Sequence, residues 1–213
     1  MYLPTLLSLA FATLSLASPT PAPVDTDADT DADAVAPSKL RVVGVSVLGS
    51  GCRAGTADVR VVSTKNTAIE IALSDYIVQT GPDTMAADWR KNCKLTLNLE
   101  YDAGFQLSTL KTTTQGFAHL PAGVNGQCRD TIDFTGDDRE VSYGIALDGA
   151  CDGAFSLSAS PDIALWSACG GGTAILNVNT ECWISPTEKR ALIAVDSISS
   201  KLVVRVALQW RKC

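Results

Sequence analysis

Hydrophobic and polar residues alternate along most of this chain. From Lys201 to Cys213 the pattern is strict: Leu202, Val204, Val206, Leu208 and Trp210 fall on one side, Val203, Arg205, Ala207, Gln209 and Arg211 on the other. A period of two marks a strand with one buried face. Lys94 to Tyr101 repeats it, with Leu95, Leu97, Leu99 and Tyr101 inward. Further strands are predicted over Leu40–Leu48, Asp58–Thr64, Ala68–Asp75, Phe105–Leu110, Thr131–Phe134, Val141–Leu147, Phe155–Ala159, Ala174–Ile184 and Ala191–Ile198. Gly- and Asp-rich turns such as Gly136-Asp137-Asp138 separate them, and only Met85 to Arg90 suits a helical turn. Many short strands with regular turn signals predict an all-β fold, an antiparallel β-sandwich or flattened barrel.

The first 38 residues break the pattern. Residues 1–17 carry a short apolar run ending Ser15-Leu16-Ala17, which suits signal-peptide cleavage before Ser18. Residues 18–38 are low-complexity, with Pro19, Pro21, Pro23 and Pro37 around a DTDADTDADA tract, and read as a disordered acidic spacer or pro-segment. The tract has the alternating acids of a calcium loop but Thr30 and Ala36 where an EF-hand needs Gly and Glu. The globular domain then runs over 39–213, and no later run is long enough to span a membrane.

Charge changes the picture little. The chain of 213 residues has a formal charge of −6, five of those charges at Asp25, Asp27, Asp29, Asp31 and Asp33. The remainder is close to neutral, so nucleic acid is not an expected partner. Seven cysteines with one histidine and no CxxC pair argue against zinc and for oxidised, disulfide-bonded secretion. No metal, cofactor or partner subunit is expected: the domain reads as a secreted, extracellular monomer.

Four cysteines sit in distinctive contexts: GSGCRAGT at Cys52, RKNCKL at Cys93, WSACGG at Cys169 and LQWRKC at Cys213, with LNVNT at Leu176 to Thr180. From about Val42 to Cys213 the chain resembles a family of small secreted fungal proteins defined only as a domain of unknown function. The resemblance implies a secreted β-rich domain, no established activity, and the pairings Cys52–Cys93 and Cys169–Cys213. Cys128, Cys151 and Cys182 depart from that pattern. Cys128 precedes one strand and Cys151 follows the next, so these two are expected to close a hairpin. Cys182 is left over; it shares an apolar face with Leu176 and Val178, and is expected as a free, buried, inert thiol.

The opposite face of that strand carries Ile175, Asn177, Asn179, Glu181 and Trp183. An indole ring beside amides and a carboxylate suits sugars, whose C–H faces stack on the ring while their hydroxyls find hydrogen bonds. Asn177, Asn179, Glu181 and Trp183 are therefore the candidate ligand-binding residues; the alternative is an ordinary solvent face whose Trp a loop covers. Trp210 is expected in the core, Trp166 on the disulfide at Cys169, and Trp89 in an exposed loop.

Catalytic signatures are sparse. His119 has no GxSxG serine to serve, and no HExxH or phosphate loop occurs. Glu100, Glu181, Asp130 and Asp133 are candidate glycosidase acids, and Asp130, Asp133, Asp137 and Asp138 a candidate calcium cluster that reads more simply as turn acids. No catalytic residue is assigned. The expected role is non-enzymatic extracellular binding or structure, at a cell-wall polysaccharide or another protein. The alternatives are a polysaccharide hydrolase with a carboxylate pair, and an effector or inhibitor of a protein partner.

Overall fold

The alternating stretches form strands close to where the pattern places them. The computed structural model describes residues 36–194 and 201–213. The signal segment 1–17, nearly all of the spacer 18–38, and the end of the strand expected to reach Ile198 lie outside the described residues. The strands are β1 (Leu40–Leu48), β2 (Ala57–Val61), β3 (Ala68–Leu73), β4 (Ile77–Thr80), β5 (Arg90–Tyr101), β6 (Phe105–Leu120), β7 (Asn125–Phe134), β8 (Glu140–Leu147), β9 (Cys151–Ala159), β10 (Thr173–Ser185), β11 (Ala191–Ala194) and β12 (Leu202–Lys212). A single helical turn, α1 (Ala86–Trp89), precedes β5.

Two antiparallel sheets result. One has the order β1-β5-β10-β7-β8, the other β2-β3-β12-β6-β11-β4 with β9 added to β6. Their inward faces meet in one core built from Leu95, Leu97, Leu176, Ile132, Ile71 and Val204, among others, so the fold is a β-sandwich. Trp210 is in this core as expected, edge-on to Tyr101 at 5.1 Å between ring centroids, with its indole N–H donating to the Asn66 carbonyl at 2.8 Å. Trp166 lies under the Arg211 guanidinium, 4.1 Å from the ring centroid. At the edge of the domain, the Ser38 backbone N–H and hydroxyl both donate to Asp102, at 2.6 and 2.7 Å.

The largest difference from the predicted strands is the length of β6. Alternation continues past Leu110, but Thr112 and Thr114 occupy the inward positions. They face a buried polar cluster between the sheets. Asp130 of β7, 2% exposed, accepts from the Thr180 hydroxyl at 2.7 Å and the Thr114 hydroxyl at 3.4 Å. The Thr112 hydroxyl is buried alongside, outside the distance and angle of a regular hydrogen bond but near enough to pull on the same carboxyl. Burial pushes the Asp130 carboxyl up to about 6, against the pull of the threonine hydroxyls.

The disulfides correct part of the expected pairing. Cys52 is bonded to Cys93, and Cys169 to Cys213. The third bridge is Cys128–Cys182, not Cys128–Cys151, and the free cysteine is Cys151, not Cys182. The reason is topological. β8 belongs to the first sheet, while β9 crosses to the second and pairs with β6. Ala150 turns the chain there with φ 69°. Cys151 is thereby carried away from β7. Cys182 is buried as its register requires, but β10 lies beside β7 and sets Cys182 directly opposite Cys128, with Cα atoms 4.1 Å apart.

Tyr76 braces this region from within. Its hydroxyl donates to the Lys91 carbonyl at 2.7 Å and accepts from the Cys182 N–H at 2.9 Å, tying β5 to β10. Burial raises the phenol well above its usual range. Tyr76→Phe strands a buried N–H, and is expected to cost about 1–3 kcal/mol in urea unfolding. A cost near zero would show that the hydroxyl bridge contributes nothing.

Candidate functional site

β10 is the central strand of its sheet, and its outer face looks away from the core. Period two places Asn177, Asn179, Glu181 and Trp183 in a row along it. On one side the cross-strand neighbours are Thr96, Lys94, Asn92 and Arg90 of β5; on the other they are Asp133, Thr131, Arg129 and Gln127 of β7.

The four predicted residues have different fates. Asn177 is nearly buried, and its amide is already committed: it donates to Asp133 at 2.7 Å and Thr135 at 3.1 Å, and accepts from the Thr96 hydroxyl at 2.7 Å. It holds β5, β10 and the end of β7 together and has little left to offer a ligand. Asn179 accepts from Asn92 at 3.4 Å and keeps its NH₂ without a partner among the described residues. Glu181 accepts from Arg90 Nε at 2.5 Å. Trp183 is half-buried, with the Arg129 guanidinium 5.3 Å from its ring centroid.

Two clefts flank Trp183. One, of about 290 Å³, lies between α1 and β10 and is lined by Ala86, Trp89, Arg90, Arg129, Glu181 and Trp183. The other, of about 280 Å³, extends over β7 and β8 past Gln127, Gly144 and Ala146. Gly144, directly opposite Arg129, has open space where a side chain would stand. Together they form a shallow trough across the strands, with two indoles at one end and a floor of small residues at the other.

Trp89 is not in an exposed loop, as the sequence predicts. It closes α1, is half-buried, and donates its indole N–H to Thr84 Oγ1 at 2.9 Å. Arg129 and Arg90 join the site without having been predicted there. The strand predicted from Thr131 in fact begins at Asn125, and Gln127, Arg129, Thr131 and Asp133 alternate with Cys128, Asp130, Ile132 and Phe134. That alternation is the signal that could have found Arg129, and an inward aspartate masks it.

The candidate glycosidase acids do not converge. Glu100 is paired with Lys39 and Arg41, Asp130 is sealed in the core, Asp133 is bonded to Asn177, and Glu181 to Arg90. The candidate calcium acids are likewise dispersed: Asp130 points inward, while Asp137 pairs with Arg139, whose hydrogen bonds hold its carboxyl down at about 2. Among the described residues no cluster of three metal-ligating side chains occurs, and no helix is long and apolar enough to cross a membrane. His119 pairs with Asp152 across β6 and β9, on the other sheet.

The class defined by this architecture is a secreted β-sandwich domain stapled by disulfides. Residues 38–213 match the model of the domain of unknown function DUF4360, and the chain belongs to that family. An uncharacterized secreted protein of Arthroderma benhamiae is 31% identical over 181 residues, covering 83% of this chain and 73% of that protein. Among solved structures, the chain overlaps the module TmCBM61 in complex with β-1,4-galactotriose, with a TM-score of 0.30 and 9% identity over 81% of this chain and 91% of the other. It overlaps a family 11 carbohydrate-binding module from Clostridium thermocellum, in complex with a mixed-linked tetrasaccharide, with a TM-score of 0.25 and 8% identity over 78% and 90%. Overlaps this partial carry no inference about the ligand.

Proposed function

We propose that this protein is a non-catalytic, extracellular carbohydrate-binding domain, and that wall polysaccharide lies along the trough on the outer face of β10. The observation that carries the reading is the pair of half-buried indoles, Trp89 and Trp183, lining one cleft beside Glu181 and Arg129. A ring beside hydrogen-bonding groups is what a sugar requires, since its C–H faces and its hydroxyls need different partners. An open trough rather than a closed pocket suits an internal stretch of a polymer. Asn179 supplies a free amide in the same row, while Asn177 is spent on tying β10 to its neighbouring strands.

The test is a pull-down on insoluble chitin, β-glucan and mannan, wild type beside Trp183→Ala, with reducing sugar assayed in the same tubes. Wild type is expected to bind at least one of them without sugar release, and Trp183→Ala to bind at least tenfold more weakly, as for loss of a stacked aromatic anchor. Sugar release would make the protein a hydrolase. Failure to bind any glycan, acidic ones included, would sink the reading in favour of a protein partner.

A further inference from the structure

Eight of the nine arginines hydrogen-bond a side-chain acceptor: Arg41 to Glu100, Arg53 to Asp75, Arg60 and Arg205 to Glu70, Arg90 to Glu181, Arg139 to Asp137, Arg190 to Asp83 and Arg211 to Gln106. Among the described residues the Arg129 side chain has no hydrogen-bond acceptor; its guanidinium lies over the ring of Trp183. Glu181 is its direct cross-strand neighbour, yet that carboxylate is taken from the far side by Arg90.

The consequence is an exposed guanidinium that lies over an indole with its donors unspent. A cation–π contact with an indole takes up none of the guanidinium's hydrogen-bonding capacity, so its N–H donors remain available. Arg129 lines both clefts, so these donors stand midway along the trough. The charges around it do not cancel it. Arg90 and Glu181 neutralise each other, Lys94 is exposed two strands away, and Asp133 lies two rows further along β7, bonded to Asn177. One positive charge is left over in the trough of a protein whose formal charge is −6.

We propose that the ligand of this trough is an acidic polysaccharide, one whose sugar carboxylate is received by Arg129 while the pyranose ring rests against the indoles. This rests on the carbohydrate-binding reading and names its substrate class. A planar carboxylate meets a guanidinium fork with two parallel hydrogen bonds, and a prepositioned fork loses less entropy in making them. A neutral sugar would leave those donors to water.

The experiment compares polygalacturonate with the same polymer fully methyl-esterified, alongside the neutral glycans above, by affinity electrophoresis. The proteins are wild type, Arg129→Gln and, as a control of equal charge change on the other sheet, Lys111→Gln. Near-UV circular dichroism checks that each is folded. Wild type is expected to bind the acid at least tenfold more tightly than the ester, the scale of a charge-assisted bidentate contact. Arg129→Gln is expected to bind both alike, and Lys111→Gln to keep the preference. Equal binding of acid and ester by wild type overturns the inference, as does a preference that survives Arg129→Gln or is lost equally in Lys111→Gln. If wild type binds a neutral glycan but not polygalacturonate, this inference fails and the carbohydrate reading stands. If it binds none of the polymers, both fail.

Discussion

Replacing Cys128 and Cys182 together by alanine is expected to destabilise the protein by about 4 kcal/mol, the chain-entropy value for the 54-residue separation they close. For a domain of this size that is a fall in Tm of roughly 8–16 °C. The bridge joins directly opposed residues of β7 and β10, both inside the core, and Trp183 stands on the other face of the sheet one residue along. Its loss therefore loosens the strand that carries the candidate site, and glycan binding should weaken with it. Cys151→Ala, at a half-buried position outside any bridge, is expected to cost less than about 1 kcal/mol. Thiol titration in denaturant without reductant separates the two possible pairings. With Cys128 bonded to Cys182, wild type has one free thiol and Cys151→Ala none. With Cys128 bonded to Cys151, the same variant would have two. A double alanine variant as stable as Cys151→Ala would overturn the assignment.

The second large effect is that of pH on stability. The Asp130 carboxyl titrates at about 6 in the fold against 3.8 when solvated, because burial penalises its charged form. The folded state thus favours the protonated group. The stability this contributes is fully present below the unfolded value and is lost as pH rises through the folded one. The gap between the two values corresponds to about 3 kcal/mol, lost between roughly pH 4 and pH 6. Glu70, Glu100 and Asp102 are shifted the other way, chiefly by side-chain hydrogen bonds from Arg205, Arg41 and Ser38 respectively, and so act at lower pH. Urea unfolding of wild type should show stability falling across that window and levelling off above it, and Asp130→Asn should lack the fall. A wild-type profile no steeper than that of Asp130→Asn across the window would contradict the account.

How legible all this is in the sequence differs from place to place. β5, β10 and β12 can be read because apolar side chains fill most inward positions, which makes the period of two unmistakable. β6 reads as ending at Leu110 because its next inward positions are Thr112 and Thr114, and a buried polar cluster looks like a solvated stretch until its partner Asp130 is known. β4 is only four residues, with Ile77 exposed, too little for periodicity to register. At the site, one strand is legible and its surroundings are not. Alternation puts Asn177, Asn179, Glu181 and Trp183 on one face, but whether each is free depends on Asp133, Arg90 and Arg129, brought in by pairing between strands far apart in the chain. The disulfides divide on the same line. A hairpin between Cys128 and Cys151 is the local guess, and the crossing of β9 to the second sheet is the non-local fact that defeats it.

The strand order also sets a timetable. β10 sits between β5 and β7, and β12 between β3 and β6, so an interior strand of each sheet is among the last to be synthesised. A chain crossing a membrane from its N-terminal end presents Cys128 and Cys151 to an oxidising compartment before Cys182 arrives. During that interval the pair that must not form is the one within reach. A Cys128–Cys151 bond made in that interval has to be broken and remade by thiol–disulfide exchange once β10 emerges.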